Sequence, residues 1–293
     1  MTRLFGAYLS PELVQKMVSD PGHDRMQAVS QNLTVLFCDI RGFTQLAEGL
    51  EPIALQAVLR RVLSRLTDVI GRHGGTLDKY MGDCVMAFWG APLDRPDHAR
   101  CAVAAALDLS QAVQAINDEH QGQGLPAIAV GIGVNTGPVC VGDMGSPARR
   151  VYTVVGEAVN LAARLERLSA LYGVTVLVGE ATRREADDFD WLELDKVRFT
   201  GKVRAVTVYT PRRPDAPVHA SSAVTDELRT WSALLKAYRA QDVSSCDRLL
   251  ASLGAMPRTE PFPVRYALYA QRVAALRGQP VDPAWDGATR VDA

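Results

Sequence analysis

The sequence predicts an α+β fold in which a mixed, mostly antiparallel sheet is flanked by helices and followed by a small helical module. Helical and strand patterns alternate along residues 31–210, and several neighbouring strands are joined by tight turns. Tight turns connect antiparallel strands, whereas parallel strands need long crossovers. The pattern therefore favours an α+β plait over a doubly wound parallel sheet. A chain of 293 residues is long enough for one large domain and a small second module.

Residues 1–30 are predicted to form a lead-in helix and a linker. Ser10-Pro11-Glu12 supplies an N-cap and a proline at the first helical position, and Asp20-Pro21-Gly22 ends the segment. Residues 34–37 then have the apolar character of a buried strand, which stops at Asp39. A carboxylate in that position is costly to bury unless a charged group meets it. Considered alone, Asp39 fits a metal-phosphate site and a helix cap equally well.

The central elements follow from apolar spacing and turn residues. Glu51-Pro52 begins a strongly periodic helix that Gly74-Gly75 ends, and Met81-Gly82-Asp83 joins two strands in a tight hairpin. We expect Thr136-Gly137-Pro138 to turn one strand back into the next and residues 142–147 to form a loop. The other expected elements are helices at 97–119 and 157–172 and strands at 76–80, 84–89, 128–135, 139–141, 151–155, 174–178, 191–199 and 204–210.

The C-terminal part has a different composition. Residues 211–222 are rich in proline and serine with little apolar content, which predicts a linker. Residues 223–293 form a helical extension, whose first two helical patterns approximate one tetratricopeptide-type repeat. Because one repeat cannot build a solenoid, we expect its apolar face to dock on the main domain or on a protein partner.

The bulk composition excludes several classes of function. A net charge of −1 gives no electrostatic support for binding nucleic acid or an anionic membrane. No apolar run approaches the ~20 residues that cross a bilayer, and the first residues lack a secretory signal. The five cysteines contain no CxxC pair and the five histidines have no ligand-like spacing, which predicts reduced thiols and no zinc site. We expect a soluble, cytoplasmic chain.

Two groups of side chains could carry chemistry. Asp39 and Asp83 lie at strand ends and turns of one sheet and could converge on a pair of divalent cations, although Asp83 alone also suits a turn. Asn160 and Arg164 share one helix face and suit a charged oxygen, although such a pair is more often simply solvated. An ordinary surface position equally accounts for three further polar residues, Lys79, Thr153 and Lys202.

Four stretches, taken together in their order along the chain, favour the functional interpretation of these residues over the structural one. They are TVLFCDIRGFT (34–44), TLDKYMGDCVMAFWG (76–90), VGIGVNTGPVCVGDMG (130–145) and YTVVGEAVNLAARLE (152–166). Together they resemble the class III nucleotidyl cyclases over residues 30–210. The resemblance implies a ferredoxin-like plait, a catalytic domain at 31–210, and conversion of ATP to 3′,5′-cyclic AMP and pyrophosphate.

The resemblance also assigns roles to individual residues. It implies that Asp39, Asp83 and the backbone carbonyl of Ile40 hold two divalent cations per site, Mg²⁺ or Mn²⁺. One cation would lower the pKa of the ribose 3′-hydroxyl, and the other would neutralise the leaving pyrophosphate. Asn160 would orient the ribose, and Arg164 would stabilise charge on the α-phosphate. The terminal phosphates would meet Lys202, with Arg149 or Arg150 as an additional candidate.

The resemblance places Lys79 and Thr153 against the base. Adenine offers an acceptor at N1 and a donor at its 6-amino group, so a lysine can donate to the first and a threonine hydroxyl can accept from the second. Guanine reverses both groups, and guanylyl members carry an acid and a small polar residue instead. Thr153 matches the subgroup in which some members respond to bicarbonate or CO2. We therefore expect selectivity for ATP.

The family's site lies between two catalytic domains, and this chain carries both halves in one copy. The resemblance therefore implies a head-to-tail homodimer with two equivalent sites. The segments at 5–12 and 283–287 also resemble flanks of membrane-anchored bacterial cyclases that have an extracytoplasmic sensor. We expect a cytosolic portion, or a trimmed relative, of such a protein. The alternatives are a guanylyl or broad-specificity cyclase, a non-catalytic nucleotide-binding module that dimerises in signalling, and an interaction module formed by the C-terminal helices.

Overall fold

The computed structural model describes residues 27–146, 149–213, 222–256 and 264–292, so the lead-in helix predicted within residues 1–30 lies outside the described part. Its strands are β1 (Val29–Arg41), β2 (Thr76–Met81), β3 (Cys84–Trp89), β4 (Ala129–Ser146), β5 (Arg149–Val155), β6 (Val176–Gly179), β7 (Asp190–Phe199), β8 (Val206–Arg212) and β9 (Thr289–Val291). Its α-helices are α1 (Phe43–Gly49), α2 (Pro52–Arg72), α3 (His98–Gln121), α4 (Glu157–Leu168), α5 (Glu180–Glu185), α6 (Ser222–Arg239), α7 (Val243–Ala255) and α8 (Val264–Leu276).

The described strands form one open sheet, in the order β2-β3-β1-β4-β6-β8-β7-β9, with β5 paired to β4. The pairs β4–β6 and β7–β9 are parallel and the others are antiparallel. The predicted α+β class and the mixed, mostly antiparallel sheet are therefore confirmed. None of the described helices combines the length and the apolar composition that a membrane crossing requires.

The alternation of side chains along β1 explains why helices cover both faces of the sheet. Leu36, Cys38 and Ile40 pack in a buried cluster with residues of α2 and α3. Leu33, Val35 and Phe37 belong instead to a second cluster that includes Ala158, Val159 and Ala162 of α4. Successive strand residues point to opposite faces, so a strand that is apolar throughout must be buried on both sides.

The turn predicted at Thr136-Gly137-Pro138 is wrong, because β4 runs without interruption from Ala129 to Ser146. The three residues pair in register with Thr34, Leu33 and Asn32 of β1. The buried hydroxyls of Thr34 and Thr136 lie 2.7 Å apart and join the two strands. The loop predicted at 142–147 is also replaced up to Ser146 by pairing with β5. Long-range pairing here overrides a local glycine-proline turn signal.

Two glycines of β4 allow α4 to lie directly against the sheet. A Cβ atom at Gly133 would collide with the backbone carbonyl of Ala162 and the backbone nitrogen of Glu166. A Cβ atom at Gly131 would collide with the Glu166 carboxylate. The helix that carries Asn160 and Arg164 is therefore positioned by glycines in a neighbouring strand.

We expect Gly133→Ala to lower the free energy of unfolding by about 1–3 kcal/mol, because α4 must move to admit the new methyl group. Urea denaturation measures the change. Gly71→Ala is the matched control: a Cβ atom at this helical position meets no atom within 4 Å, so alanine should be neutral or slightly stabilising. Equal stability of the Gly133→Ala variant and the wild type would contradict the close packing described above.

The C-terminal helices dock on the main domain, as one of the two sequence-based alternatives predicted. Trp231, Tyr266 and Tyr269 share one buried cluster with Tyr172, which follows α4, and with Leu194 of β7. The short strand β9, which the sequence analysis missed, adds to the sheet beside β7. The described extension and the main domain therefore share a core.

Candidate active site

The first half of the site is a pair of carboxylates at one end of the sheet. Asp39 lies near the end of β1, and Asp83 follows Gly82 in the β2–β3 turn, where Gly82 has a φ of 68°. Burial, and then the negative charge of Asp83, raise the pKa of Asp39 to about 6. The Oδ1 atom of Asp39 is buried and makes no hydrogen bond to any residue that the structure describes.

This donor set fits a hard divalent cation. Mg²⁺ and Mn²⁺ prefer carboxylate and carbonyl oxygens. A bound cation would offset the repulsion between the two acids and would give the buried Oδ1 atom of Asp39 a partner. The buried Ile40 side chain is a hydrocarbon without a donor atom, so that residue could contribute only its backbone carbonyl. The neighbouring thiols of Cys38 and Cys84 are poor candidates, because burial raises the pKa of each. All five cysteines are described and none forms a disulfide.

A third acid, Glu166 of α4, was missed by the sequence analysis. Burial, and then the charge of Asp39, raise the pKa of its carboxyl group to about 7. Arg41 and Arg167 act in the opposite direction on the same group. Gly131 pairs with Asp39 across β1 and β4, and its missing side chain leaves room for the Glu166 carboxylate. The two glycines of VGIGVN were the available signal, because they mark a close helix-to-strand approach.

The second half of the site joins β2 to β5. Lys79 Nζ lies 3.2 Å from Thr153 Oγ1, and Thr153 is 7% exposed. The Thr153 hydroxyl donates to Asp78 Oδ2 at 2.6 Å. Asp78 was not among the predicted site residues. Its position next to a strand lysine resembles any surface pair, so the sequence offered no signal of its burial.

The remaining predicted residues lie on or beside α4. Asn160 is exposed, whereas Arg164 is partly buried, with its guanidinium 5.5 Å from the centre of the Phe199 ring. Lys202 Nζ donates to Glu157 Oε2 at 2.8 Å. Of the two arginines left open, Arg150 lies 4.0 Å from Asp143, and the side chain of Arg149 is not described.

Within the described part of one chain, no hydrogen bond or ion pair joins the two acids to the other predicted site residues. Among the described residues, neither Lys79 nor Thr153 hydrogen-bonds or ion-pairs with Asp39 or Asp83. Asn160, Arg164 and Lys202 also make no hydrogen bond or ion pair to either carboxylate in the described part. One copy therefore presents an acidic group, Asp39 and Asp83, and a polar group, Lys79 and Thr153, with no hydrogen bond or ion pair between them in the described part of the chain.

A plait with two acids at one end of its sheet and a polar helix beside them is compatible with a nucleotide-cyclising catalytic domain. The family model described as the adenylate and guanylate cyclase catalytic domain matches residues 26–210. The chain belongs to this family.

Curated relatives and solved structures agree with this assignment. An adenylate cyclase of Anabaena cylindrica is 38% identical over 190 residues, which cover 62% of this chain and 37% of that protein. Adenylate cyclase 1 of Rhizobium meliloti (strain 1021) is 32% identical over 206 residues, which cover 70% of this chain and 31% of that protein. The chain therefore spans well under half the length of these two relatives.

The solved structures include enzymes of both specificities. The adenylyl cyclase CyaB from P. aeruginosa matches with a TM-score of 0.61 at 32% identity, covering 65% of this chain and 99% of that chain. The guanylyl cyclase Cya2 matches with a TM-score of 0.60 at 34% identity, covering 65% of this chain and 96% of that chain. The overall likeness therefore supports the family and leaves the choice of nucleotide to individual residues.

Proposed function

We propose that the chain is an adenylyl cyclase that converts ATP to 3′,5′-cyclic AMP and pyrophosphate. The observation that carries this proposal is the 3.2 Å contact between Lys79 and Thr153, which brings a donor and a hydroxyl together across two strands. A lysine can donate to adenine N1, whereas guanine presents a donor there. The names of the two curated relatives also favour ATP.

The acidic group would hold the cations. Two divalent cations, Mg²⁺ or Mn²⁺, bound by Asp39, Asp83 and the Ile40 carbonyl would lower the pKa of the ribose 3′-hydroxyl and neutralise charge on the leaving pyrophosphate. Asp39 serves this role only when ionised, and its raised pKa keeps a proton on it more readily in the metal-free chain. The apparent metal affinity should therefore fall as the pH drops below about 6, because protons compete with the cation for Asp39.

Residues of α4 and the β7–β8 connection would act on the ribose and the phosphates. The exposed amide of Asn160 would hold the ribose so that its 3′-oxygen faces the α-phosphorus. As that oxygen attacks and the bond to the bridging oxygen breaks, Arg164 would stabilise the charge on the α-phosphate. Stacking on Phe199 limits the motion of the Arg164 guanidinium. Lys202 would leave its exposed ion pair with Glu157 and would bind the terminal phosphates instead.

No hydrogen bond or ion pair joins the acidic group to Lys79 or Thr153 in the described part of one chain, which agrees with a site shared between two copies. In a head-to-tail homodimer, Asp39 and Asp83 of one copy would face Lys79, Thr153, Asn160 and Arg164 of the other, which makes two equivalent sites. In an adenylyl cyclase of this kind each complete site is built from residues of both copies, so a single copy has no complete site. A guanylyl cyclase, or a non-catalytic dimerisation module, would use the same assembly.

A complementation experiment tests both the activity and the shared site. Asp39→Ala and Lys79→Ala are purified separately, and each should form little cyclic AMP from ATP. After subunit exchange in equal amounts, half of the dimers are mixed and each has one intact site, so about a quarter of wild-type activity should return. The assay uses Mg²⁺ and Mn²⁺ in turn, with ATP and GTP in competition.

The outcomes separate the alternatives. If the mixture forms no cyclic AMP although subunit exchange has been demonstrated, the shared site is contradicted. Substantial activity of Asp39→Ala alone would contradict the metal assignment, and a wild-type preference for GTP would favour the guanylyl cyclase. No cyclic nucleotide from either substrate would favour the non-catalytic module.

The flanking segments support two further parts of the proposal. Residues 5–12 and 283–287 resemble the flanks of membrane-anchored bacterial cyclases that have an extracytoplasmic sensor. The domain would therefore work on the cytosolic side, as the cytosolic portion or a trimmed relative of such a protein. Sequencing the upstream coding region for a membrane-spanning segment tests this. A protein partner for the C-terminal helices would have to bind their outer surface, because the inner face packs on the plait.

A further inference from the structure

A buried carboxylate stands behind the pair that we assign to the base. The side chain of Asp78 is fully buried, at 0% exposure, whereas that of its neighbour Lys79 is 42% exposed. Asp78 Oδ2 accepts the Thr153 hydroxyl at 2.6 Å, and Asp78 Oδ1 lies 3.4 Å from Lys79 Nζ. Asp78 therefore touches both side chains from the protein side of the site.

This arrangement removes an ambiguity that a threonine normally has. A hydroxyl group has one proton and two lone pairs, so a free threonine can donate to a 6-oxo group or accept from a 6-amino group. An ionised carboxylate can only accept, and the short contact to Asp78 holds the single proton of Thr153 on the inner side. Lys79 Nζ donates to the Thr153 hydroxyl oxygen at 3.2 Å and takes up one of its lone pairs. What remains of Thr153 for a ligand is the second lone pair, which can only accept.

The buried position of Asp78 is consistent with this role. Burial raises the pKa of the Asp78 carboxyl group above its usual value, and the Thr153 hydroxyl, the Lys79 ammonium and the Val154 backbone N–H partly offset this rise. A carboxylate that served only as a surface partner of Lys79 would not need to be enclosed. A buried charge is tolerated when a hydrogen bond and an opposite charge meet it. Here Oδ2 accepts the Thr153 hydroxyl, and Oδ1, which accepts no hydrogen bond from a described residue, lies 3.4 Å from the Lys79 ammonium.

We propose that Asp78 is a specificity-determining positioning residue, which fixes Thr153 as a hydrogen-bond acceptor and so selects the 6-amino group of the purine. The inference rests on the proposed function, since it assigns a cause to the preference for ATP. Asp78 acts through Thr153 and does not itself touch the nucleotide. The Thr153 hydroxyl thereby acts toward the ligand only as a hydrogen-bond acceptor, as an ionised carboxylate does without any helper.

The test compares two substrates on the same enzyme preparation. Purine riboside 5′-triphosphate keeps the N1 acceptor of ATP and lacks only the 6-amino group. The ratio of kcat/KM values for the two nucleotides isolates the contact at position 6, and it is unaffected by the fraction of folded or active protein. For the wild type we expect ATP to be favoured about tenfold, the effect of one hydrogen bond to a buried group.

We expect Asp78→Asn to bring this ratio to within about threefold of unity, because an amide can donate to Thr153 and release its proton toward the ligand. Thr153→Val should have the same effect, because it removes the hydroxyl. The double variant should show no further change, since both substitutions break one path. Thr153→Ser keeps the hydroxyl next to Asp78 and should keep the wild-type ratio.

The outcomes distinguish this inference from the proposed function. A wild type that prefers ATP, together with an Asp78→Asn variant that keeps the full ratio, would overturn the role of Asp78 and leave the adenylyl cyclase proposal intact. Full additivity in the double variant would also overturn it. If Asp78→Asn does not fold, Asp78→Ser gives the same comparison, and if turnover is too slow, equilibrium binding of the two nucleotides supplies the ratio. A wild type that cyclises neither nucleotide contradicts the proposed function instead.

Discussion

Replacing Asp39 by asparagine is expected to abolish cyclic AMP formation and to make the metal-free chain more stable. The loss of activity should be at least ~10³-fold, because metal-based charge stabilisation contributes several kcal/mol to such a transition state. The gain in stability follows from the site: Asp39 is half-buried beside Asp83, with one oxygen unpaired. Function here requires a charge that the fold alone does not favour.

The pH dependence of that gain has a definite sign. The pKa of Asp39 is raised from 3.8 to about 6 in the folded chain, so between these values the folded state binds more protons than the unfolded state. Its contribution to stability therefore falls as the pH rises through this window. The advantage of Asp39→Asn should be small near pH 4, grow up to about pH 6, and stay constant above it.

Thermal unfolding in the presence of EDTA measures the effect. Solvent screening of this half-exposed pair limits the gain to about 1 kcal/mol at pH 8, or about 2–4 °C in Tm. Added Mg²⁺ or Mn²⁺ should then stabilise the wild type and not the variant. Asp68→Asn, at an exposed position on α2, is the control and should change neither activity nor Tm. If the Asp39→Asn variant has a lower Tm than the wild type at pH 8, the ionised Asp39 does not destabilise the metal-free fold, and this prediction is wrong.

Replacing Arg272 of α8 by leucine is expected to have the largest effect on stability, a loss of about 3–5 kcal/mol. Arg272 Nη1 donates to Asp195 Oδ2 at 2.6 Å, and Asp195 is 1% exposed. Tyr172 and Tyr269 donate to the same carboxyl group at 2.7 and 3.0 Å. Leucine would leave a buried carboxylate without its cation, and the hydroxyls alone cannot replace that charge.

Urea denaturation distinguishes this from a general effect of removing arginine. Arg277→Leu is the matched control, because Arg277, the residue after the end of α8, makes an exposed pair with Asp247. Such pairs contribute 0–1 kcal/mol. If the two variants were equally stable, the buried network would not be what holds the extension to the plait.

The Arg272 network also decides how the C-terminal extension can be studied. Tyr172 follows directly on α4, so the network connects α8 to the helix that bears Asn160 and Arg164. Deleting everything after residue 215 would expose the aromatic cluster around Trp231 and Tyr172. A loss of activity after such a deletion would report unfolding as readily as regulation, so single substitutions are the sharper tool.

Much of the fold and part of the site could be predicted from local patterns. The hairpin around Gly82 and the helix that begins at Pro52 depend on neighbours a few residues away, and both are confirmed. The roles of Asp39 and Asp83 remain predictions, but their placement at a strand end and a turn was visible in the sequence. Short-range signals of this kind keep their meaning in most tertiary contexts.

Three features depended on contacts between distant residues. Pairing with β1 turned an apparent turn at Gly137 into the middle of a strand. The register of β7 and β9, about ninety residues apart, made a strand of three residues that has no local pattern. Glu166 became an acid beside Asp39 only because two glycines of β4 let α4 approach.

By itself, the sequence determined the class of fold, the family and the polar residues available for chemistry, because these follow from residue types and short spacings. Only the tertiary structure decided which of those residues are buried and what they face. Asp78 shows the difference: in the sequence it is one acid beside a lysine, and in the structure β5 covers it and Thr153 donates to it. Burial by a distant strand changes the energy of a charge and the direction of a hydrogen bond, and no local pattern records either.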